Sequence, residues 1–347
     1  MKKSFLLAAG LCLFNILFPV FMYYSGEKEQ NLPENRAETE QIEEINENEG
    51  KTKNEYDESF TFKVRIGGEV RQVRMDEYLP GVLAAEMPAS FPREALKAQA
   101  VAARSFILYR LAHPPADGVH DDAALCSDPA HCKGWTDILD PDTAKARYGA
   151  AAQIFVEKLV DAVHSTDGEV MVYDGEPILA AFHAISGGRT ENAADVWGGG
   201  APYLVSVESP GEEDAEKYAS LVVYSADEYR ERLETLCGKG ELEGDAAQYI
   251  QNIERSEAGG VIRAQVGGKT VTGTAIRQAL ALNSTDFTVG VQGDEVRISV
   301  RGYGHGVGMS QYGARAMALD GAGYEEILTH YYAGTKLTVM NGNMVVN

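Results

Sequence analysis

The sequence predicts an α+β fold, with a mixed core domain, a smaller inserted module and a single transmembrane helix at the N-terminus. Three observations predict it. The chain begins with an apolar run of about twenty residues and then passes through an acidic polar segment. It continues for about 290 residues in which strand and helix patterns follow no regular order. Such a mixed order is typical of α+β domains rather than of repeating α/β units.

The apolar run covers residues 5–24, which is long enough to cross the hydrocarbon layer of a membrane. Lys2 and Lys3 precede it, so we expect residues 1–4 to form a cytoplasmic tip and the rest of the chain to lie outside. A cleaved signal peptide is the alternative. We favour an uncleaved anchor, because the run is long and no small-x-small cleavage site precedes Ser25.

Residues 25–58 are polar and acidic, with almost no large apolar side chains, and they predict a flexible tether because they bury too little surface to fold. The chain carries 52 acidic and 31 basic residues, a formal net charge of −21. This charge argues against a nucleic-acid partner, since an acidic surface repels phosphates. It is compatible with a neutral glycan substrate.

Residues 59–347 form the predicted globular domain, and the charged stretch over 212–282 predicts the inserted module. Two alternating strands flank Gly67-Gly68 and predict a hairpin over 61–74. Proline at positions 88 and 92 predicts that one helix ends at Glu86 and that the next begins near 92. The other predicted elements are helices over 92–111, 143–164, 226–236 and 324–332, and strands over 170–173, 178–183 and 296–301.

The most informative residue in this pattern is Glu86, an acidic side chain held at a rigid helix end. One interpretation is structural: the carboxylate pairs with Arg104 or Lys97. The other is functional. A carboxyl group whose pKa is raised by apolar neighbours can act as a general acid, and one such group is the minimum for acid/base work on a glycosidic bond.

Two glycine-rich segments offer groups that could contact a glycan. Residues 301–314 contain His305, Gln311 and Tyr312 among closely spaced glycines; the alternative is a plain turn that leads into a helix. The other segment, 185–209, contains Tyr203 and Trp197. We interpret these aromatic side chains as walls of a groove that stack on sugar faces; the alternative is that they are core residues. The order around Ser186 does not match a nucleophile turn, so serine hydrolase chemistry is disfavoured.

Two thiols and two imidazoles lie within thirteen residues: His120, Cys126, His131 and Cys132. This donor set suits tetrahedral Zn²⁺. A Cys126–Cys132 disulfide is the alternative in an oxidising compartment. Because no general base is evident beside the cluster, we expect one structural zinc ion rather than a zinc hydrolase.

Three long blocks give the chain a family resemblance: YLPGVLAAEMPASFPREALKAQAVAAR, FHAISGGRTENAADVWGGGAPYLVSV and GYGHGVGMSQYGARAMALDGAGYEEILTHYYAGT. A weaker block, TGTAIRQALALNSTDFTV, adds to them. Together they resemble the stage II sporulation protein D family over about residues 61–337. The predicted anchor and acidic tether also fit that family.

The resemblance implies a lytic transglycosylase that cleaves peptidoglycan strands already stripped of stem peptides, during engulfment of the forespore. It implies a cell-membrane location, with the catalytic domain in the space between the mother-cell and forespore membranes. The implied partners are a sporulation amidase and another engulfment membrane protein.

The family's catalytic glutamate falls on Glu86, and its other active-site positions fall on Arg104, Tyr203 and His305. The chain departs from the usual pattern at Val205, where the family has a lysine. A metal-carrying subset of the family has ligands that fall on His120, Cys126, His131 and Cys132. A non-catalytic adaptor that activates an amidase is the alternative function, with the acidic segment 212–216 as a docking site for a basic partner.

Overall fold

The structure is a computed structural model that describes residues 56–114, 120, 123–129 and 131–340. The predicted membrane helix at 5–24 and most of the predicted tether at 25–58 lie outside these residues. Within the described part of the chain, no helix has both the length and the hydrophobicity needed to cross a bilayer. Helices and sheets are mixed along the chain, which confirms the α+β prediction.

The elements of the first core are helices and short strands. The helices are α1 (Tyr56–Ser59), α2 (Met75–Glu86), α3 (Arg93–Ala112), α4 (Pro141–Tyr148), α5 (Ala152–His164) and α6 (Ala193–Trp197). The strands are β1 (Thr61–Ile66), β2 (Glu69–Arg74), β3 (Glu169–Tyr173), β4 (Glu176–Pro177) and β5 (Phe182–His183).

The remaining elements follow in chain order. The strands are β6 (Ala219–Ser225), β7 (Ile250–Arg255), β8 (Val261–Val266), β9 (Lys269–Thr272), β10 (Asp286–Gln292), β11 (Glu295–Arg301), β12 (Met309–Ser310) and β13 (Lys336–Val339). The helices are α7 (Ala226–Cys237), α8 (Gly273–Ala279), α9 (Gln311–Leu319) and α10 (Tyr324–Tyr331).

The hairpin predicted at the start of the domain is confirmed. Ile66 pairs with Glu69, so Gly67 and Gly68 form a two-residue turn. Both glycines have positive φ, 59° and 92°, as the tight hairpin turns that match strand twist require. Along β1 every second residue is buried, which places one face of the hairpin on the core.

Helices α2 and α3 form the centre of the first core, and their bounds confirm the proline prediction. Helix α2 ends at Glu86 because Met87 is already extended ahead of Pro88. Helix α3 begins directly after Pro92 and is buried along most of its length. Small side chains on α3 let α2, α5 and α9 approach it closely.

A second hydrophobic core lies over residues 219–301, and its helices α7 and α8 pack on two three-stranded sheets. In one sheet β11 pairs with both β10 and β6, and Ala219 is opposite Arg301. The two ends of this segment therefore lie side by side, as expected for an insertion. The core includes residues 219–282 of the predicted module at 212–282 and extends beyond it to β11. The boundary of an independent module stays a prediction.

A buried ion pair holds α1 against the first core. Arg104 on α3 is 0% exposed and Asp57 on α1 is 2% exposed. The guanidinium donates to both carboxylate oxygens of Asp57, with Nε–Oδ1 at 2.9 Å and Nη2–Oδ2 at 2.5 Å, and also to the Glu169 carbonyl at 2.9 Å. This geometry satisfies a charge that would otherwise be costly to bury.

We predict that Asp57→Asn lowers the free energy of unfolding by about 3–5 kcal/mol, because it leaves the Arg104 charge buried without its partner. Urea denaturation of the full chain measures this. The double variant Asp57→Asn with Arg104→Met removes both charges and should recover much of the loss. A loss for the single variant below about 1 kcal/mol, the range of exposed pairs, would contradict a tightly coupled pair.

Candidate active site

Glu86 lies at the last residue of α2 and is partly exposed. Its Oε1 accepts a hydrogen bond from the Gly134 N–H at 2.9 Å. Glu86 forms neither of the two ion pairs, with Arg104 or with Lys97, that the structural interpretation predicted. Arg104 binds Asp57, and the Lys97 ammonium lies 2.8 Å from Glu94. Glu86 therefore keeps its carboxyl available at the helix end.

Burial raises the pKa of Glu86 above its ordinary value. The Lys133 ammonium and the Gly134 N–H act in the opposite direction, because both stabilise the ionised carboxylate. Desolvation is the largest of the three causes, so the net direction is upward. A raised pKa keeps more of the carboxyl protonated near neutral pH, which is what a general acid requires.

Lys133 brings a cation to this carboxyl. Its Nζ lies 3.4 Å from the ring centroid of Phe182 on β5 and 4.7 Å from that of Phe106 on α3. Burial lowers the pKa of Lys133 to about 8, although Glu86 acts to raise it. Sequence reasoning missed both Lys133 and Gly134. Their only signal is that they follow Cys132, a predicted metal ligand.

His305 lies in a loop, 302–308, in which packing against the rest of the chain requires glycine at four positions. The backbone of this loop runs against residues 181–191, so a Cβ at Gly308 would lie 2.1 Å from the Ala181 carbonyl oxygen. Gly302, Gly304, Gly306 and Gly308 all have positive φ, between 74° and 120°. The glycines thus serve close packing within the chain and present His305 between them.

The His305 ring is neutral and faces an aromatic neighbour. Its Nδ1 accepts the Val307 N–H at 3.0 Å, which leaves the proton on Nε2. Burial, with nearby His183 and Lys133, holds the pKa of His305 well below its usual range. The ring centroid lies 5.3 Å from that of Trp197, which is 46% exposed. Trp197 and His305 can therefore form part of a groove wall that contacts a sugar face.

A second histidine, His183, lies behind His305 and was not predicted. Its ring centroid is 5.7 Å from that of His305. Its Nδ1 donates to the Val307 carbonyl at 3.2 Å, so Nε2 is left as a buried acceptor, and none of the described residues donates a hydrogen bond to it. Burial lowers the pKa of His183 to about 4. The pairing of β5 with β12 in parallel brings these two histidines together.

Tyr203 is buried, and its hydroxyl accepts the Leu179 N–H at 2.9 Å. Its ring centroid lies 5.5 Å from that of Tyr173 on β3. These contacts give Tyr203 a role in holding the chain around residue 179. They favour the core interpretation of this residue over the groove-wall interpretation, while Trp197 remains the exposed aromatic of the segment.

Arg104 has no exposed surface, and its guanidinium is occupied by Asp57 and by the Glu169 carbonyl. These contacts favour a supporting role in the core over direct contact with a substrate. Substrate binding by Arg104 stays a prediction. Ser186 is likewise buried, and its hydroxyl donates to Glu212 at 2.9 Å, so it has no geometry of a nucleophile.

The four predicted metal ligands come together, and their donor atoms lie within 4.8 Å of one another. Cys132 Sγ lies 3.4 Å from His120 Nε2, and Cys126 Sγ and Cys132 Sγ each lie 3.6 Å from His131 Nδ1. Tetrahedral zinc with ordinary Zn–S and Zn–N bonds needs donor separations of about 3.3–3.8 Å. The two imidazole nitrogens, His120 Nε2 and His131 Nδ1, are closer than this, at 2.9 Å. The donor types and the three sulfur–nitrogen separations fit the ion, which would need the two rings to move slightly apart. Both cysteines are free thiols in the structure.

The loop that carries the four donor residues is connected directly to Glu86. After Cys132 the chain runs along α2: Gly134 donates to Glu86, and the Trp135 ring stacks on Tyr78 with centroids 5.9 Å apart. A Cβ at Gly81 would lie 2.4 Å from Trp135 Nε1, so the absence of a side chain there permits the crossing. The position of the catalytic candidate thus depends on the fold of this loop.

The family model and the two most similar of the relatives described here agree on one protein family. The sequence model described as Stage II sporulation protein matches residues 67–173. Stage II sporulation protein D of Bacillus subtilis (strain 168) is 37% identical over 275 residues, which cover 78% of this chain and 76% of that protein. The protein of the same name from Bacillus amyloliquefaciens is 32% identical over 346 residues, 97% of this chain and 96% of that protein.

A more distant relative carries a different name. The amidase enhancer of Bacillus subtilis (strain 168) is 28% identical over 309 residues, which cover 75% of this chain and 40% of that protein. The identity and coverage of the first two relatives decide the family. This chain belongs to the stage II sporulation protein D family.

Proposed function

We propose that this protein is a peptidoglycan lytic transglycosylase that cleaves the MurNAc–GlcNAc bond of glycan strands stripped of stem peptides. The observation that carries the proposal is the environment of Glu86. A carboxyl with a raised pKa lies at a helix end beside Lys133 and the Gly134 N–H. Its oxygen Oε1 is oriented by a backbone donor, which is the kind of support that a general acid needs.

The proposed reaction uses Glu86 twice. Protonated Glu86 transfers its proton to the leaving glycosidic oxygen while an oxocarbenium-like centre develops at C1 of the muramic acid. The resulting carboxylate then accepts the proton of the C6 hydroxyl of the same sugar. That hydroxyl attacks C1 and closes a 1,6-anhydro ring, so the proton removed from C6 restores Glu86 to its starting state.

A single carboxyl suits this reaction better than hydrolysis. Glycosidases generally need two carboxyl groups, about 5–9.5 Å apart, to handle an external water or a covalent intermediate. Among the described residues, no second carboxylate contributes to the pKa shift of Glu86. An intramolecular nucleophile removes the need for one, because the substrate itself holds the hydroxyl in place.

The second candidate function is a non-catalytic adaptor that activates a cell-wall amidase. The relative named amidase enhancer favours it, since a fold can keep its shape and lose its chemistry. The acidic docking segment expected for this role is only partly available: Glu212 is buried against Ser186 and Ser209, while Glu213 and Asp214 are exposed. The environment of Glu86 favours the enzyme.

The proposed setting is the engulfment stage of sporulation, with the chain anchored by residues 5–24 and the enzyme domain outside the cytoplasm. An amidase that removes stem peptides and another engulfment membrane protein are the proposed partners. We also propose that His120, Cys126, His131 and Cys132 hold one Zn²⁺. Because four protein donors complete a tetrahedral site, the ion would be structural and would supply folding energy to the loop that supports Glu86.

We predict that Glu86→Gln lowers turnover of stripped glycan strands by at least about 10²–10⁴-fold, because the amide keeps the shape and cannot transfer a proton. Circular dichroism should show an unchanged fold. Glu77→Gln on the exposed side of the same helix is the matched control and should keep full activity. In the wild type, turnover should fall as pH rises through the raised pKa of Glu86, since the acid must begin protonated. A Glu86→Gln variant within tenfold of wild type would exclude the assignment.

We predict that the products carry 1,6-anhydro muramic ends, because the internal hydroxyl is closer to C1 than any water. Mass spectrometry distinguishes them from hydrolysis products, which are heavier by one water. Products with reducing ends only would mean that the protein is a hydrolase and that the single-carboxyl mechanism is wrong.

We predict that the purified full chain contains about one zinc ion and that Cys126→Ala lowers zinc content, melting temperature and activity together. Removal of the ion should loosen the link from Cys132 to Glu86. Cys237→Ala, at a buried thiol in the second core, should leave zinc content unchanged. If reductant alone reproduced the losses and elemental analysis found no metal, the disulfide alternative would be correct.

A further inference from the structure

Lys133 is a cation in the candidate active site, and no carboxylate of the described residues forms an ion pair with it within salt-bridge distance. Its ammonium lies against the rings of Phe182 and Phe106, and the residue is half-buried. In the part of the chain that the structure describes, it makes no ion pair or hydrogen bond with a carboxylate; the other lysine of the site region, Lys97, has Glu94 at 2.8 Å.

The aromatic rings compensate this charge only in part. The attraction of a cation to two ring faces is smaller than the cost of removing an ammonium from water. Glu86 and the neighbouring Cys132 thiol both act on it electrostatically, and Glu86 is the larger of the two effects. In the proposed reaction, however, Glu86 begins protonated and is then neutral. During substrate binding, the site therefore has a positive charge and no ionised carboxylate paired with it.

We propose that Lys133 binds the free lactyl carboxylate of muramic acid, on the same sugar ring whose C1–O bond Glu86 cleaves. This inference rests on the proposed function and names a specificity-determining residue for it. The lactyl carboxylate is the anionic group of a glycan strand that has lost its stem peptides. Lys133 precedes Gly134, which donates to Glu86, so the loop that carries the ammonium lies directly against the helix end that carries the acid.

The same contact gives the site a way to select its substrate. In a strand that carries stem peptides the lactyl group is an amide, which is neutral and bulky. It offers the ammonium no charge and places a peptide against the Phe182 and Phe106 rings. The carboxylate of a stripped strand forms a charge-assisted hydrogen bond that the amide cannot replace. Discrimination thus comes from both attraction and exclusion.

The principal rival is that Lys133 acts only through Glu86, by stabilising its ionised form. That role would change turnover equally for every strand and would shift its pH profile. It would not change the relative affinity for carboxylate and amide forms of one strand. A binding measurement with Glu86 replaced therefore separates the two roles.

The test uses the full chain carrying Glu86→Gln, which binds without cleavage. Isothermal titration calorimetry compares two ligands: strands with free lactyl carboxylates, and the same strands converted to lactyl methylamides. Lys133→Met and Lys133→Gln remove the charge, and Lys133→Arg retains it. Lys145→Met, on the exposed face of α4, is the matched control. Melting temperature and zinc content confirm that each variant is folded.

We expect the Glu86→Gln chain to bind the carboxylate strands at least about tenfold more tightly than the methylamides. Lys133→Met should abolish this preference, Lys133→Arg should retain most of it, and Lys145→Met should not change it. No preference in the Glu86→Gln chain, or the same preference with and without Lys133, would overturn the inference. The comparison of carboxylate and methylamide strands in the Glu86→Gln chain needs no change at Lys133. It therefore still tests the inference if a Lys133 variant fails to fold.

Turnover of the wild-type chain on the two ligands is measured separately. A carboxylate preference in binding that depends on Lys133, with no cleavage by the wild type, would reject the proposed enzyme and keep the carboxylate site. If the wild type cleaved both ligands and the Glu86→Gln chain bound them with equal affinity, the carboxylate site would be rejected and the proposed enzyme kept. The two proposals therefore fail in different experiments.

Discussion

The candidate site depends on one hydrogen bond, from the Gly134 N–H to Glu86 Oε1 at 2.9 Å. Core packing sets the position of Glu86 at the end of α2. The four-donor cluster sets the position of Gly134, two residues after Cys132. The bond joins these two parts of the fold at the carboxyl itself, beside the stacking of Trp135 on Tyr78. It engages one carboxyl oxygen and gives the group a single orientation, so the other oxygen can face a substrate.

Burial acts on the groups of this site in one consistent way: it favours their neutral forms. It raises the pKa of Glu86 and lowers those of Lys133, His183 and His305. The attraction between Glu86 and Lys133 opposes the effect on both. These surroundings can therefore hold a protonated acid beside neutral imidazoles, which donate and accept hydrogen bonds without adding charge.

The glycine-rich loop shows how backbone packing presents one of these imidazoles. Tyr303 exchanges backbone hydrogen bonds with Ile185, and Gly306 accepts the Glu191 N–H at 2.8 Å. Alternate residues of the loop must be glycine, because they have positive φ and lie against the neighbouring chain. His305 lies between two of them and points its ring toward His183 and Trp197. Close contacts with residues 181–191 hold the loop in this conformation, although it is rich in glycine.

The sequence by itself determined the features that depend on neighbouring residues. Gly67-Gly68 predicts the hairpin turn, Pro88 predicts the helix end at Glu86, and the donor spacing from His120 to Cys132 predicts the cluster. Only the tertiary structure decided which distant groups meet. Asp57, 47 residues from Arg104, makes that arginine an internal support. The Gly134 N–H reaches Glu86 because a loop crosses α2 at Gly81. Such contacts depend on how separate elements pack, and no local pattern records that packing.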